Sequence, residues 1–396
     1  NIDLNPLFCS YESGDYSLAE NSPCIGSGED GSNIGKYEIG CGLRYNGPTW
    51  HVDILSYPDS QDGSEDYPFS SIQQAIDATN HGDTVLVKPG DYCTFNLRGR
   101  EIIVGSHYIL ENDDSFIDQT RILHTSDCFD VYFGSVIFDK SESHSTILTG
   151  FTLDSVGIIC DNASPSISHI NIINNEMTVA YGNEFGGAIA LNSSNAVLDH
   201  LYIADNYKGS YDGGAAAYVM NSDIAITNSL IVNNSSETPH HNLNIKTGGI
   251  VAFNSNILID QSTIYGNSGS DYGTMTPGAL FLDTTSTSTI SNSVIWGNGP
   301  IQITGSAAIL YSDIQGGWDG EGNINIDPLF CLSDSADFTI AGNSPCIGTG
   351  ENGTNMGAFG LGCVISVDWN FSIGEPMITI DGNDGSWNPG ESISIE

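Results

Sequence analysis

Apolar and polar positions between Ser164 and Gly317 follow one short phrase written five times. It reads HINIINN (His169 to Asn175), HLYIADN (His200 to Asn206), NSLIVNN (Asn228 to Asn234), QSTIYGN (Gln261 to Asn267) and NSVIWGN (Asn292 to Asn298). The closing asparagines recur every 28 to 33 residues, each with an isoleucine three positions earlier: Ile172, Ile203, Ile231, Ile264 and Ile295. A fixed phrase at that period marks a structural repeat. After each asparagine comes a polar insert of variable length, then a small-residue turn and a second strand: GGAIAL from Gly186, GGAAAYV from Gly213, GGIVAF from Gly248, PGALFL from Pro277. A third alternating stretch (AVLDH, DIAITNS, NILIDQS, STISNS) leads back into the phrase. Three short strands per repeat predict one coil of a parallel β-solenoid. Coils stacked about 4.8 Å apart would align the isoleucines in an interior column and the asparagines in an amide ladder at a turn. The glycine pairs mark turns without room for a Cβ.

The flanks carry a second repetition. Residues 1–41 and 323–363 align without a gap, and Cys9, Cys24 and Cys41 coincide with Cys331, Cys346 and Cys363. The second copy follows the last coil, so the first reads as the closing segment of an earlier solenoid in a longer protein. Between them, Asp62 to Thr79 predicts a helix with a Ser71 and Gln74 capping box, an apolar face of Ile72, Ala75 and Ile76, and a stop at Gly82. That helix would cover an open end of the core, ahead of a strand at Thr84 to Val87. The organisation expected is a closing segment at 1–45, a solenoid at 46–322 with its capping helix near 70–80, a second closing segment at 323–364, and the start of an immunoglobulin-like β-domain, or an exchanged strand, at 365–396. The strand ending in SISIE has no evident partner in the chain.

Charge narrows the partners. Nine Lys plus Arg against 49 Asp plus Glu leave a net charge of −40, which repels nucleic acid and acidic membranes. No apolar run reaches the roughly 18 residues of a membrane span. The chain opens without Met or a signal-like segment, and its nine cysteines suit an oxidising, extracellular setting. The pairs favoured are Cys9–Cys24 and Cys331–Cys346, leaving Cys41 and Cys363 over, although spacing alone does not fix connectivity. Asn162, Asn192, Asn233, Asn234, Asn352 and Asn370 begin glycosylation sequons.

The stretches SSIQQAIDATNHGDTVLVKPGDY, NASPSISHINIINN and NIDPLFC with NSPCIGTG and GAFGLGC resemble secreted bacterial parallel β-helix proteins of the pectate-lyase-like type, whose closing segments accompany anchoring domains. The resemblance implies an all-β, right-handed parallel β-helix with an N-terminal capping helix. It implies no single activity, because the architecture hosts lyases, hydrolases, epimerases, adhesins and fibres.

Lyases of this fold use a Lys or Arg base with acidic Ca²⁺ ligands. Of the basic residues near the coils, Arg121, Lys140, Lys208 and Lys246, the lyase reading favours Lys208 with Asp212, and Lys246 beside His240 and His241. Solvated loop positions explain them as well. NIKTGG at Asn244 to Gly249 lacks the companion motifs of pectin hydrolases, and paired catalytic Asp residues are not evident. Tyr181, Phe185, Tyr207, Tyr211 and Tyr272 in the inserts would form a sugar-stacking surface or shield coil edges. DGNDGSWNPGE offers Asp381, Asn383, Asp384 and Glu391 to Ca²⁺, or forms an Asx turn. The Thr284 to Thr289 run does not recur between coils. The reading favoured is a non-catalytic extracellular structural or adhesive β-helix that contacts itself or neighbouring domains through residues 1–41 and 365–396. A polysaccharide lyase or hydrolase, and a carbohydrate-binding module, are the alternatives.

Overall fold

The computed structural model describes residues 2, 4–10, 13–57, 61–124, 128, 134–177, 187–209, 213–237, 246–270, 276–299, 301–364, 378–380 and 393–395. The chain is an all-β parallel β-helix. One long sheet runs Thr49–Val52, Thr84–Val87, Ile103–Ser106, Ile147–Asp154, Ser166–Ile173, Val197–Ala204, Asp223–Thr227, Asn256–Asp260, Thr287–Ser291 and Ser306–Leu310, in chain order and all parallel. The chain turns a corner within each coil and continues as Leu230–Val232, Thr263–Tyr265, Val294–Trp296 and Asp313–Ile314. A second sheet of seven strands, from Ser135–Phe138 to Ile301–Thr304, closes the coil.

The isoleucine column forms as the phrase predicts. Ile172, Ile203, Ile231, Ile264 and Ile295 are successive register partners, and Ile314 extends the file. All six are buried in one continuous apolar core. The asparagine ladder is equally literal. The backbone N–H of Asn175 donates to Asn206 Oδ1 (3.0 Å), that of Asn206 to Asn234 Oδ1 (3.1 Å), that of Asn234 to Asn267 Oδ1 (3.0 Å) and that of Asn267 to Asn298 Oδ1 (3.0 Å). From Asn206 onward the side-chain amides also bond head to tail (2.8–2.9 Å), so buried amides that water cannot reach are satisfied by the next coil. At the glycine pairs, a Cβ on Gly187 would lie 1.9 Å from the Ala215 oxygen and one on Gly249 2.0 Å from the Ala279 oxygen. The backbones stack too closely there for any other residue.

Two further ladders are built from serine. At one corner the N–H groups of Ser194, Ser222 and Ser255 donate to the hydroxyls of Ser222, Ser255 and Ser286. At another, Leu201, Ser229, Ser262 and Ser293 donate to Ser229, Ser262, Ser293 and Ser312. Most of these hydroxyls donate in turn to the carbonyl two residues back, as Ser229 does to Thr227 and Ser262 to Asp260.

The capping helix spans Ile72–Ala78 and buries Ile72, Ala75 and Ile76 against the first coil. Two details differ from expectation. Ser71 occupies the N-cap without a side-chain hydrogen bond, and the helix ends before Thr79, whose N–H and hydroxyl both return to the Ile76 carbonyl. Gly82, at φ 87°, shapes the following turn instead.

The two flanking copies fold alike. Each has an antiparallel pair joined by a parallel third strand: Phe8–Ser10, Asp15–Ala19 and Ile39–Cys41 in the first, Phe330–Leu332, Asp337–Ala341 and Leu361–Cys363 in the second. This layout corrects the expected disulfides. The outer strands curl over the middle one at Ser17 and Thr339, leaving Cys9 and Cys41, and Cys331 and Cys363, with Cα separations of 5.8 and 5.9 Å. Both pairs are bonded, a third disulfide joins Cys93 to Cys128, and Cys24, Cys160 and Cys346 are free and buried. Cys24 and Cys346 sit in turns away from the strand trio, so neither Cys9–Cys24 nor Cys331–Cys346 forms. Another expectation also changes: Ile393–Ile395 is not a lone strand, since it pairs antiparallel with Ile378–Ile380.

The second copy lies along the side of the rod. Phe330 and Phe338 pack on Ala204, Leu230, Val232 and Tyr265, while Ile340, Cys346 and Met356 pack on Val294. Tyr265 meets both phenyl rings, at 5.6 and 5.2 Å between centroids.

Candidate functional site

Because side chains alternate along a strand, the parallel register turns the outer face of the long sheet into rows along the rod. Val197, Ala225, Leu258, Thr289 and Ala308 form a largely apolar middle row. Asp223, Asn256, Thr287 and Ser306 form one polar border, and Asp199, Thr227, Asp260 and Ser291 the other. A groove of about 490 Å³ runs along the middle row and the Asp223 border, lined among others by His144, Val197, Asp223, Leu258 and Thr289. His144 is anchored at its rim by a 2.6 Å bond between Nε2 and the Asn195 carbonyl oxygen.

The borders are hydrogen-bonded lengthwise. Asn256 donates to Asp223 (2.6 Å) and Thr287 to Asn256 (2.6 Å). Along the other border, Asp199 accepts from Thr227 (2.6 Å) and Asn228 (2.8 Å), and Asp260 accepts from Ser291 (2.6 Å) and Asn292 (2.9 Å) in the same way two coils further on. Partial burial works against the Asp199 carboxylate, but the bonds from Thr227, Asn228 and His200 outweigh it and hold the group below the ordinary carboxylate value.

At the corner beside this border the chain takes positive φ in coil after coil, at His169, His200, Asn228, Gln261, Asn292 and Tyr311. The imidazoles of His169 and His200 stack at 4.6 Å, Tyr108 covers His169 at 4.6 Å, and His200 Nδ1 bonds to Asp199 at 2.8 Å. Burial, then the neighbouring His200, holds His169 below the ordinary imidazole value. The His169 Nδ1 is buried without a hydrogen-bond partner among the described residues.

The structure distributes the sequence candidates unevenly. Lys208 is not a solvated insert residue: it sits in the short strand Tyr207–Lys208, stacked between Met177 and Ser236, and is 3% exposed. Tyr207, half-buried, stacks between Glu176 and Ser235. The backbone of Lys246 pairs with Gly213. Asp212, the Lys246 side chain, Tyr181, Phe185, Tyr211, Tyr272, Asn370, and the Ca²⁺ candidates Asp381, Asn383, Asp384 and Glu391 lie outside the described residues. Of the other basic residues near the coils, Lys88 pairs with Asp53, Arg98 with Asp77, Arg121 with Asp154 and Lys140 with Asp139. Among the described residues, no group of three or more His, Cys, Asp or Glu side chains converges as a metal site. Among the sequons, Asn162, Asn233 and Asn352 are exposed and Asn192 is half-buried. Asn234 is withdrawn as an acceptor, because its amide is enclosed in the ladder and donates to Ile203, Val232 and Asn267.

The groove was not anticipated, although its signal is present: in AVLDH, DIAIT and NILID the outward positions include Val197, Ala225 and Leu258, apolar where alternation calls for polar residues. No known protein family matches the sequence, and no curated protein does. Among solved structures the chain is similar to the crystal structure of pectate lyase Pel9A, at 14% identity and a TM-score of 0.36, over 79% of this chain and 96% of that one. So loose a likeness transfers no residue roles, and the parallel β-helix assignment stands on the strand register of this chain.

Proposed function

We propose that the chain is a non-catalytic, extracellular structural and adhesive β-helix, a rod segment of a larger surface protein or fibre. The observation that carries this reading is the use of the outer carboxylates. Asp199 and Asp260 occupy equivalent positions in different coils and are held by the same pair of donors, a hydroxyl and an Asn amide from the next coil. Acids repeated in one bonding pattern serve the stacking of coils. The three disulfides agree with an oxidising location.

A second reading, binding of a neutral extended glycan, is favoured by the groove. An apolar floor beside a hydroxyl, amide and carboxylate border of Asp223, Asn256 and Thr287 matches a sugar chain with flat apolar faces and polar edges. The Asp223 carboxylate would repel a uronate. The decisive experiment incubates the intact protein with neutral and acidic polysaccharides, following new reducing ends and the ultraviolet absorbance of unsaturated products. The rod reading expects no turnover of any of them. Turnover abolished by Lys208→Ala, in a variant with unchanged melting, would overturn it in favour of a lyase.

A further inference from the structure

The two flanking copies give an internal control for what their common face is built to touch. They are preformed to the same shape. The Ser22 hydroxyl donates to the Pro6 carbonyl as Ser344 does to Pro328, both at 2.6 Å. Gly26 N–H meets Asn33 Oδ1 as Gly348 N–H meets Asn355 Oδ1, both at 3.0 Å. Phe8 and Tyr16 make the edge-to-face pair that Phe330 and Phe338 make, at 5.4 and 5.3 Å. Their surroundings differ. Phe338 is 1% exposed and Met356 0%, whereas Tyr16 is 48% and Ile34 39% exposed.

In the second copy this face is covered by the flank of the coils, which also supplies polar partners. Asn292 Oδ1 accepts from the Glu351 N–H (2.7 Å), the Asn292 carbonyl from Gly357 (2.8 Å) and Thr263 Oγ1 from the Ala358 N–H (3.0 Å). The Cys346 thiol donates to buried Asp313 at 3.4 Å. The positions that answer them in the first copy are Glu29, Gly35, Lys36 and Cys24.

We infer that the exposed Tyr16 and Ile34 face of residues 1–41 is a docking surface for the flank of a parallel β-helix other than the one formed by this chain. The flank recognised carries Thr and an aromatic residue on one coil, Asn and Val on the next, and a buried Asp on the next, as Thr263, Tyr265, Asn292, Val294 and Asp313 do here. A second copy of this chain does not fit, because its matching flank is already occupied by its own residues 323–363. This deepens the rod reading by naming a partner, and the two fail separately: an enzymatic chain would leave the docking face standing, and failed docking would leave the rod standing.

The test exploits the flank already present. In the full chain, residues 323–363 are overwritten with the sequence of residues 1–41, and the same chimera is made with Asp in place of the transplanted Tyr16 and Ile34. The first chimera should melt within about 5 °C of the native chain, and the second should fall below it by more than that. Two unstable chimeras would overturn the inference, since the first copy then cannot seat on such a flank. Two stable ones would also overturn it, since docking then ignores this face. Sedimentation of the native chain should give a monomer. A dimer dissolved by Tyr16→Asp would assign the face to a second copy instead.

Discussion

Residues 1–41 and 323–363 are the same small fold in two environments. Their Ser-to-Pro and Gly-to-Asn bonds, aromatic pair and disulfide coincide, yet one exposes Tyr16 and Ile34 where the other buries Phe338 and Met356 against the coil flank. The fold of the segment therefore does not depend on its docking. Local bonds and a disulfide set its shape, and the apolar face is an added feature that contributes only when a flank is present.

The comparison breaks most sharply at the aromatic pair. Phe338→Asp would place a charge in a fully enclosed apolar site and should cost on the order of 3–5 kcal/mol by chemical denaturation. Tyr16→Asp, at the matching position, should change stability by about 0.5 kcal/mol or less. Equal costs would mean that the first copy is covered after all.

The disulfides probe the same contrast at a smaller scale. Each closes a loop with a sequence separation of 32, worth about 3–4 kcal/mol in the chain-entropy account. With Cys9 and Cys41 changed to Ala, residues 1–41 should exchange their amide hydrogens faster, since no coil flank covers the Tyr16 and Ile34 face. With Cys331 and Cys363 changed to Ala, the second copy should retain protection through its flank contacts. Equal loss of protection in mass-spectrometric exchange would place the stability of both copies in the disulfide alone.

A last effect is a dependence on pH where the coil strand Asp313–Ile314 meets the second copy. Burial pushes the Asp313 carboxyl up to about 7, only partly offset by the Ile326 N–H and the Cys346 thiol. The folded chain keeps a proton there that the unfolded chain releases above its ordinary value of 3.8. The associated stability is full below that value, declines by about 1.4 kcal/mol per pH unit as pH rises through the window, and is gone above about 7. Protection of residues 323–363 should thus be greater at pH 5 than at pH 8, and Asp313→Asn should flatten the difference. An unchanged profile in that variant would remove Asp313 as its source.

The sequence made the rod legible because its repeat is enforced by register: an Ile or Asn out of phase would face the wrong side of a coil. The serine ladders escaped notice because serine is common in turns, and only stacking reveals that Ser222, Ser255 and Ser286 share one file. The disulfide partners were misjudged for a related reason. Cys9 and Cys24 are nearer in sequence, but the curl of the outer strands over the middle one, which spacing does not encode, brings Cys41 within 5.8 Å of Cys9. Lys208 was read as an insert residue because the short strand that encloses it follows the Asn corner immediately. The groove depends on which residues line up across four coils, and no single coil displays it.

The ladders also have ends. After Asn298 the amide file passes to Gln302, whose Oε1 takes the Asn298 amide hydrogen at 2.9 Å while its own nitrogen returns to the Asn298 carbonyl. The serine file ends at Asn323, which accepts from the Ser312 N–H and donates to the Ile309 carbonyl. In both files a longer amide side chain reaches back and consumes the donors and acceptors that a further coil would need. Two residues thereby act as stop codons for these two files: a repeat inserted upstream would find its rungs in its neighbours, whereas one added beyond them would lack the partners that Gln302 and Asn323 occupy.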